Sequence, residues 1–189
     1  MRASPPGQLP TLVVIGGPMG SGKTTLAHRI AQAVGCPAVC RDEIKEGMVH
    51  TAGEFVPSPG DGLTVRTLPV FFGVLHLLLR AGVTTVAEAA FQDHVWRPGL
   101  AALDGVAQIR IVHCAVPAEV AFERSQRRAV SNPARRAHAD PGAGGAASSA
   151  RRHRAFDRVS VDAPWIEVDT TNGYRPGLGE ILAFITGAS

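Results

Sequence analysis

The sequence is poor in cysteine, tyrosine and lysine and has no long apolar run, and each scarcity narrows what the chain can be. Its three cysteines, Cys36, Cys40 and Cys114, are odd in number and fit no zinc-finger spacing. That argues against a disulfide-stapled scaffold and leads one to expect reduced thiols in a cytoplasmic protein. No apolar stretch reaches the roughly 18 residues of a membrane span. Residues 70–79 come closest and suit a buried helix, so no membrane partner is expected. The first ten residues lack a signal peptide's apolar stretch and read as a frayed, proline-rich end. Charged residues make up 19 % against 45 % hydrophobic, which excludes a disordered or supercharged chain. At 189 residues, one domain with a single sizeable core is expected.

What the chain does have is arginine, and it is unevenly placed. Seventeen arginines stand against two lysines, and nine of them lie between Arg124 and Arg158 with only Asp140 and Asp157 to oppose them. That stretch carries 9 − 2 = +7, while the whole chain is only +3, leaving −4 on the remainder. A basic stretch either wants an anionic partner, such as nucleotide phosphates, nucleic acid or a membrane surface, or is simply solvated.

Strand-like and helix-like segments alternate along the chain. Thr11–Gly16 is a short, β-branched apolar run, the mark of a strand buried on both faces. A helix is expected from about Gly22 to Val34, closed by Gly35 and Pro37. Further strands are expected at Ala38–Arg41, Val83–Ala87, Gln108–Val116 and Trp165–Val168. The expected helical segments are Asp42–Met48, Leu63–Arg80, Val95–Leu103, Pro117–Ala129 and Gly179–Thr186. His50–Gly62 reads as a loop, and residues 131–152, rich in Gly, Ala and Arg, as a flexible segment. This alternation implies a parallel sheet covered by helices on both faces.

Between the first strand and first helix, Gly17-Pro18-Met19-Gly20-Ser21-Gly22-Lys23-Thr24 fits G-x-x-x-x-G-K-[ST] without exception. The glycines let successive backbone N–H groups turn inward on anionic oxygens, and the helix N-terminus adds its positive end. Lys23 should reach the β- and γ-phosphates and the Thr24 hydroxyl should ligate Mg²⁺; Thr25 follows them. An ATP or GTP site is the reading, on a three-layer α/β/α P-loop NTPase fold. No Asn-Lys-x-Asp guanine reader and no Leu-Ser-Gly-Gly-Gln signature is present, so neither a GTPase nor a transporter ATPase is indicated. Glu88, at the end of the third strand, stands where a metal-associated acid is expected, or is a surface acid. Small size and an arginine-rich segment before the last strand fit a compact kinase whose lid closes over the triphosphate.

Gly17–Thr25, Arg41-Asp42-Glu43-Ile44, Val86–Phe91, Val116–Arg128 and Val168-Asp169-Thr170-Thr171 together resemble the small P-loop kinases of the predicted-kinase superfamily. The loop and helix at 47–82 make the chloramphenicol 3-O-phosphotransferase branch the most similar. Zeta toxins and polynucleotide 5′-hydroxyl kinases are more distant. The chain departs from the pattern at Ala87, where a second acid often stands, and in a longer lid. The resemblance implies that Asp42 is the base that takes the acceptor's proton, although Asp also suits a helix N-cap. It implies nucleotide contacts for Arg124 and Arg128, four apart on one helix face, and for Thr170 and Thr171. Arg127, Arg135 and Arg136 share that basic region.

An acceptor pocket is expected between Asp42 and residues 47–97, with Phe91, His94, Trp96 and Arg97 as contacts. Mostly apolar with a few polar anchors, it suits a small hydroxylated molecule. The loop 47–62 holds Glu54 and Asp61 and no Lys or Arg, which disfavours a polynucleotide acceptor. The expected activity is Mg²⁺- and ATP-dependent phosphoryl transfer to a small-molecule hydroxyl. Alternatives are a polynucleotide or nucleotide-sugar kinase, or a nucleotide switch that transfers nothing.

Overall fold

In a computed structural model of the chain, residues 9–58, 60–131, 134, 137–138 and 145–187 are described below. Five strands form one parallel sheet: β1 (Thr11–Gly16), β2 (Ala38–Cys40), β3 (Thr85–Glu88), β4 (Gln108–Ala115) and β5 (Trp165–Asp169), in the order β2-β3-β1-β4-β5. The described residues also form seven helices: α1 (Lys23–Val34), α2 (Arg41–Ala52), α3 (Gly62–Arg80), α4 (Asp93–Ala101), α5 (Ala118–Ser131), α6 (Gly145–Arg154) and α7 (Leu178–Thr186).

β1 lies in the middle of the sheet, which is why its sequence is continuously apolar rather than alternating. Its side chains alternate between the two faces. Leu12 and Val14 pack with Phe71, Leu75 and Leu79 of α3 and with Phe91, Trp96 and Leu100. Val13 and Ile15 pack with Leu26 and Ile30 of α1 and Ile181 and Ile185 of α7. The α3 helix is long and apolar enough, by length and composition alone, to cross a membrane. Its stripe of Thr67, Phe71, Leu75 and Leu79 is nonetheless buried against the sheet, as a core helix requires.

The structure alters three sequence expectations. α2 runs to Ala52, beyond the expected Asp42–Met48 and into the segment read as a loop, because Val49 continues its buried side. Residue 40 occupies its N-cap, so Asp42 stands inside the first turn and is not the cap. Gly145–Arg154, expected to be flexible, is helical, and no residue of it is buried. Arg135 and Arg136, together with residues 132–133 and 139–144 of the expected lid, lie outside the described residues.

Candidate functional site

The site is built where β1, β2 and β3 end together. Ile15 of β1 pairs with Glu88 of β3, and Glu88 with Cys40 of β2, so the loop after β1, Glu88 and the start of α2 converge. Ligands gather at such carboxyl ends of a parallel sheet. The loop 17–22 is drawn tight: the Gly17 N–H donates to the Ala90 carbonyl at 3.4 Å, and the Ser21 N–H to the Pro18 carbonyl at 3.2 Å. Gly20 is required here. Its φ is +79°, and a Cβ would meet the Ala121 carbonyl oxygen at 2.2 Å, so the loop can lie on α5 only without a side chain.

Lys23 and Thr24 open α1 and face Glu88. The Thr24 hydroxyl donates to Glu88 Oε2 at 3.2 Å, and Lys23 Nζ lies 3.7 Å from Oε1. Glu88 is buried, 2 % exposed, which excludes the surface-acid reading. Burial pushes its carboxyl above the ordinary range and Asp42 adds to this, against the opposing pull of Lys23. A hydroxyl and a carboxylate side by side form a hard-oxygen donor pair of the kind Mg²⁺ takes, so these residues fit the ion.

Asp42 accepts a hydrogen bond from Arg41 Nη1 at 2.9 Å. Burial works to raise its carboxyl, but His138, Lys23 and Arg41 outweigh it and hold the group below its ordinary value. Arg41 also donates to the Thr64 carbonyl at 3.3 Å. One helical turn on, Lys45 Nζ reaches Asp61 Oδ2 at 2.8 Å, and both side chains are buried. Asp61 also accepts from the Thr64 N–H at the start of α3, at 2.8 Å. Despite its burial, these bonds and the Lys45 charge bring its carboxyl down to about 2.

These side chains surround a cavity of about 570 Å³. Met19, Gly20, Lys23, Thr24, Asp42 and Glu88 form its phosphate-loop end, and Val65, Leu68, Val95 and Trp96 an apolar wall. Of the expected acceptor contacts, Asp42 and Trp96 line it. The other three do not. Phe91 is fully buried in the core, edge-on to Phe71, with a φ of +52°. His94 and Arg97 sit on the exposed side of α4, where Arg97 Nε pairs with Asp93 at 3.4 Å. The helical period accounts for this: α4 turns Trp96 inward and so turns His94 and Arg97 outward.

The sequence reading did not single out Arg41, Lys45 or His138 as cavity residues, yet all three line it. The lysine had one legible signal: the chain contains only two, and both face this cavity. His138, whose Nε2 lies 3.0 Å from Glu46 Oε1, comes from the low-complexity segment and carried none.

A second cavity, about 460 Å³, lies on the other side of the phosphate loop and is lined by Gly22, Thr25, Arg29, Arg124, Arg127, Arg128, Thr170 and Tyr174. Arg128 lines both cavities. Arg124 is committed to the chain itself: its Nη2 donates to the Thr170 and Thr171 carbonyls at 2.8 and 3.0 Å. The buried Thr170 hydroxyl donates to the Ser21 carbonyl at 2.7 Å, tying the loop after β5 to the phosphate loop. Thr170 and Arg124 thus hold the cavity's shape, while Thr171 does not line it.

With this geometry in view, comparison with known proteins places the chain. Residues 12–143, more than half the chain, match the family model described as an AAA domain. The chain belongs to that family. No curated protein matches the sequence. Among solved structures, it is similar to a candidate kinase from Chloroflexus aurantiacus J-10-fl, with 19 % identity, a TM-score of 0.84, and 96 % of this chain and 100 % of that one covered. It also resembles a gluconokinase from Sinorhizobium meliloti 1021 (17 % identity, TM-score 0.59, 95 % and 94 % covered). A third is the APS kinase of Mycobacterium tuberculosis in complex with AMPPNP and APS (14 % identity, TM-score 0.61, 95 % and 99 % covered). The fold is therefore that of the P-loop kinases, a five-stranded parallel sheet between helices.

Proposed function

We propose that this chain is a kinase that moves the γ-phosphoryl group of ATP to a hydroxyl of a small molecule, with Asp42 as the base. One observation carries the reading: Lys23, Thr24, Glu88 and Asp42 line a single cavity whose far wall is apolar and includes Trp96. A nucleotide switch needs no carboxylate across from the phosphate loop, and a kinase does.

Mg²⁺-ATP, when bound, supplies the transferable phosphoryl group and neutralises part of its charge. Thr24 and Glu88 would hold the ion, Lys23 would cover the β- and γ-phosphates, and the second cavity would take the nucleoside between Arg124, Arg128 and Tyr174. The ionised Asp42 accepts the acceptor's hydroxyl proton and aligns its oxygen. Arg41 fixes the carboxylate's orientation, and Lys23 and Arg128 balance the charge that develops on the transferring group. A cavity of this size suits a small molecule with an apolar body and a few polar groups. The small-molecule kinases among the structural relatives support such an acceptor. The chloramphenicol-phosphotransferase branch, and with it an antibiotic-like or nucleoside-like acceptor, rests on the sequence resemblance.

The test is transfer of label from γ-labelled ATP to panels of hydroxylated antibiotics, nucleosides, sugar acids and 5′-hydroxyl oligonucleotides. Label on a small molecule, lost in Asp42→Asn, is the expected result. Label only on oligonucleotides, or phosphate release without an acceptor, overturns the reading.

A further inference from the structure

Behind the catalytic cavity, three residues that share no sequence motif come together. His28 lies on α1, Cys40 ends β2 and Glu43 is in the first turn of α2. His28 Nε2 is 2.7 Å from Glu43 Oε1 and 3.8 Å from Cys40 Sγ, and all three ligand atoms lie within 4.8 Å of one another. His28 and Glu43 are half exposed while Cys40 is buried, so the cluster opens to solvent on one side and closes on the other.

We propose that His28, Cys40 and Glu43 form a binding site for one zinc-like divalent transition metal, distinct from the Mg²⁺ pair Thr24 and Glu88. The geometry is close to what such an ion needs. Zinc holds thiolate sulfur at about 2.3 Å and imidazole nitrogen at about 2.0–2.1 Å, so tetrahedral ligands are separated by roughly 3.4–3.6 Å. The sulfur–nitrogen distance is near that already, and the nitrogen–oxygen pair has only to open from hydrogen-bond to ligand spacing. Three protein ligands leave a fourth position for water on the exposed side. A thiolate, an imidazole and a carboxylate together select zinc-type ions over Mg²⁺, which prefers oxygen alone.

Burial and the nearby Glu88 and Glu43 carboxylates push the Cys40 thiol up, so it holds its proton without an ion. Coordination sends that proton to solvent and replaces the His28–Glu43 hydrogen bond with two metal bonds. The ion would join α1, which begins at the phosphate loop, to the turn of α2 that carries Asp42. The site thus gives a zinc-type metal a grip on the spacing between the phosphate-binding and base-bearing helices.

The experiment titrates the untagged full chain with Co²⁺ in the presence of excess Mg²⁺, following the thiolate-to-cobalt charge-transfer band, and then displaces Co²⁺ with Zn²⁺. One equivalent is expected to give the band and a raised Tm. Cys40→Ser should abolish the band, whereas Cys36→Ser and Cys114→Ser should keep it. His28→Ala and Glu43→Gln, both at half-exposed positions, should weaken binding by more than about tenfold, since losing even an outer-shell partner costs 10–100-fold. They carry the test if Cys40→Ser fails to fold. No band, or a band that survives both His28→Ala and Glu43→Gln, overturns the site. None of these readouts requires phosphoryl transfer, so the kinase reading stands or falls separately.

Discussion

The Thr24 hydroxyl and the Glu88 carboxylate meet at 3.2 Å, joining the first turn of α1 to the end of β3 across 64 residues of sequence. The strand register makes the meeting possible, because Ile15, two residues before the phosphate loop opens, is opposite Glu88. It buries a carboxylate at 2 % exposure, a costly arrangement that a cation would relieve.

Glu88→Gln should therefore separate stability from function. The Glu88 carboxyl is raised in the fold, so the folded protein binds the proton more tightly than the unfolded chain does. The ionised group costs stability at neutral pH, and the cost fades as pH falls through the raised value. We expect the metal-free variant to melt a few degrees higher than wild type at pH 7, with the difference shrinking in acid. Transfer should need far more Mg²⁺. A lower Tm with unchanged Mg²⁺ dependence would refute this.

Lys23→Ala removes the only cation within the phosphate loop. Transfer from ATP should fall below detection in a labelled-ATP assay while circular dichroism stays native. Near wild-type turnover would sink the nucleotide assignment.

Asp42→Asn keeps size and removes basicity. Nucleotide affinity, measured by calorimetry, should change little, and transfer should drop by at least about 10²-fold. Because Asp42 titrates below the ordinary carboxylate value, it is ionised at neutral pH. The acid limb of the wild-type rate should not lie near pH 6, and an Asp42-dependent limb there would count against its role.

Arg124→Lys keeps the charge but loses the fork that reaches two carbonyls at once. ATP affinity should weaken by roughly tenfold, about 1.4 kcal/mol, as the loop at 170–171 loosens. An affinity equal to wild type would mean that charge alone matters there.

The buried Lys45–Asp61 pair links α2 to α3. Asp61→Ala should cost about 3–5 kcal/mol in urea unfolding, because it strands a buried ammonium and uncaps α3. Lys45→Met with Asp61→Asn should recover much of that loss. The pair's contribution should persist in acid until pH falls through about 2, the folded value of Asp61. Equal stability of Asp61→Ala and wild type would rule out a structural role for the pair.

The sequence by itself determined the phosphate loop, the five strands and the place of Asp42 just past the second strand. Those features are local: β1 must be apolar throughout to be buried on both faces, and a tight anion-binding loop demands glycine at fixed places. Glu88 was legible as a candidate because a strand end beside that loop is a fixed address. The acceptor side was not legible in the same way. Trp96 and Phe91 look alike in sequence, yet one lines the cavity and the other is locked in the core. Only the packing of α3 and α4 on the sheet decides which buried aromatic borders the cavity. Lys45 and Asp61 are 16 residues apart and His28 and Glu43 are 15 apart, with no motif joining either pair. Their meeting depends on how α2 lies against α1 and α3, which tertiary packing sets and local periodicity does not record.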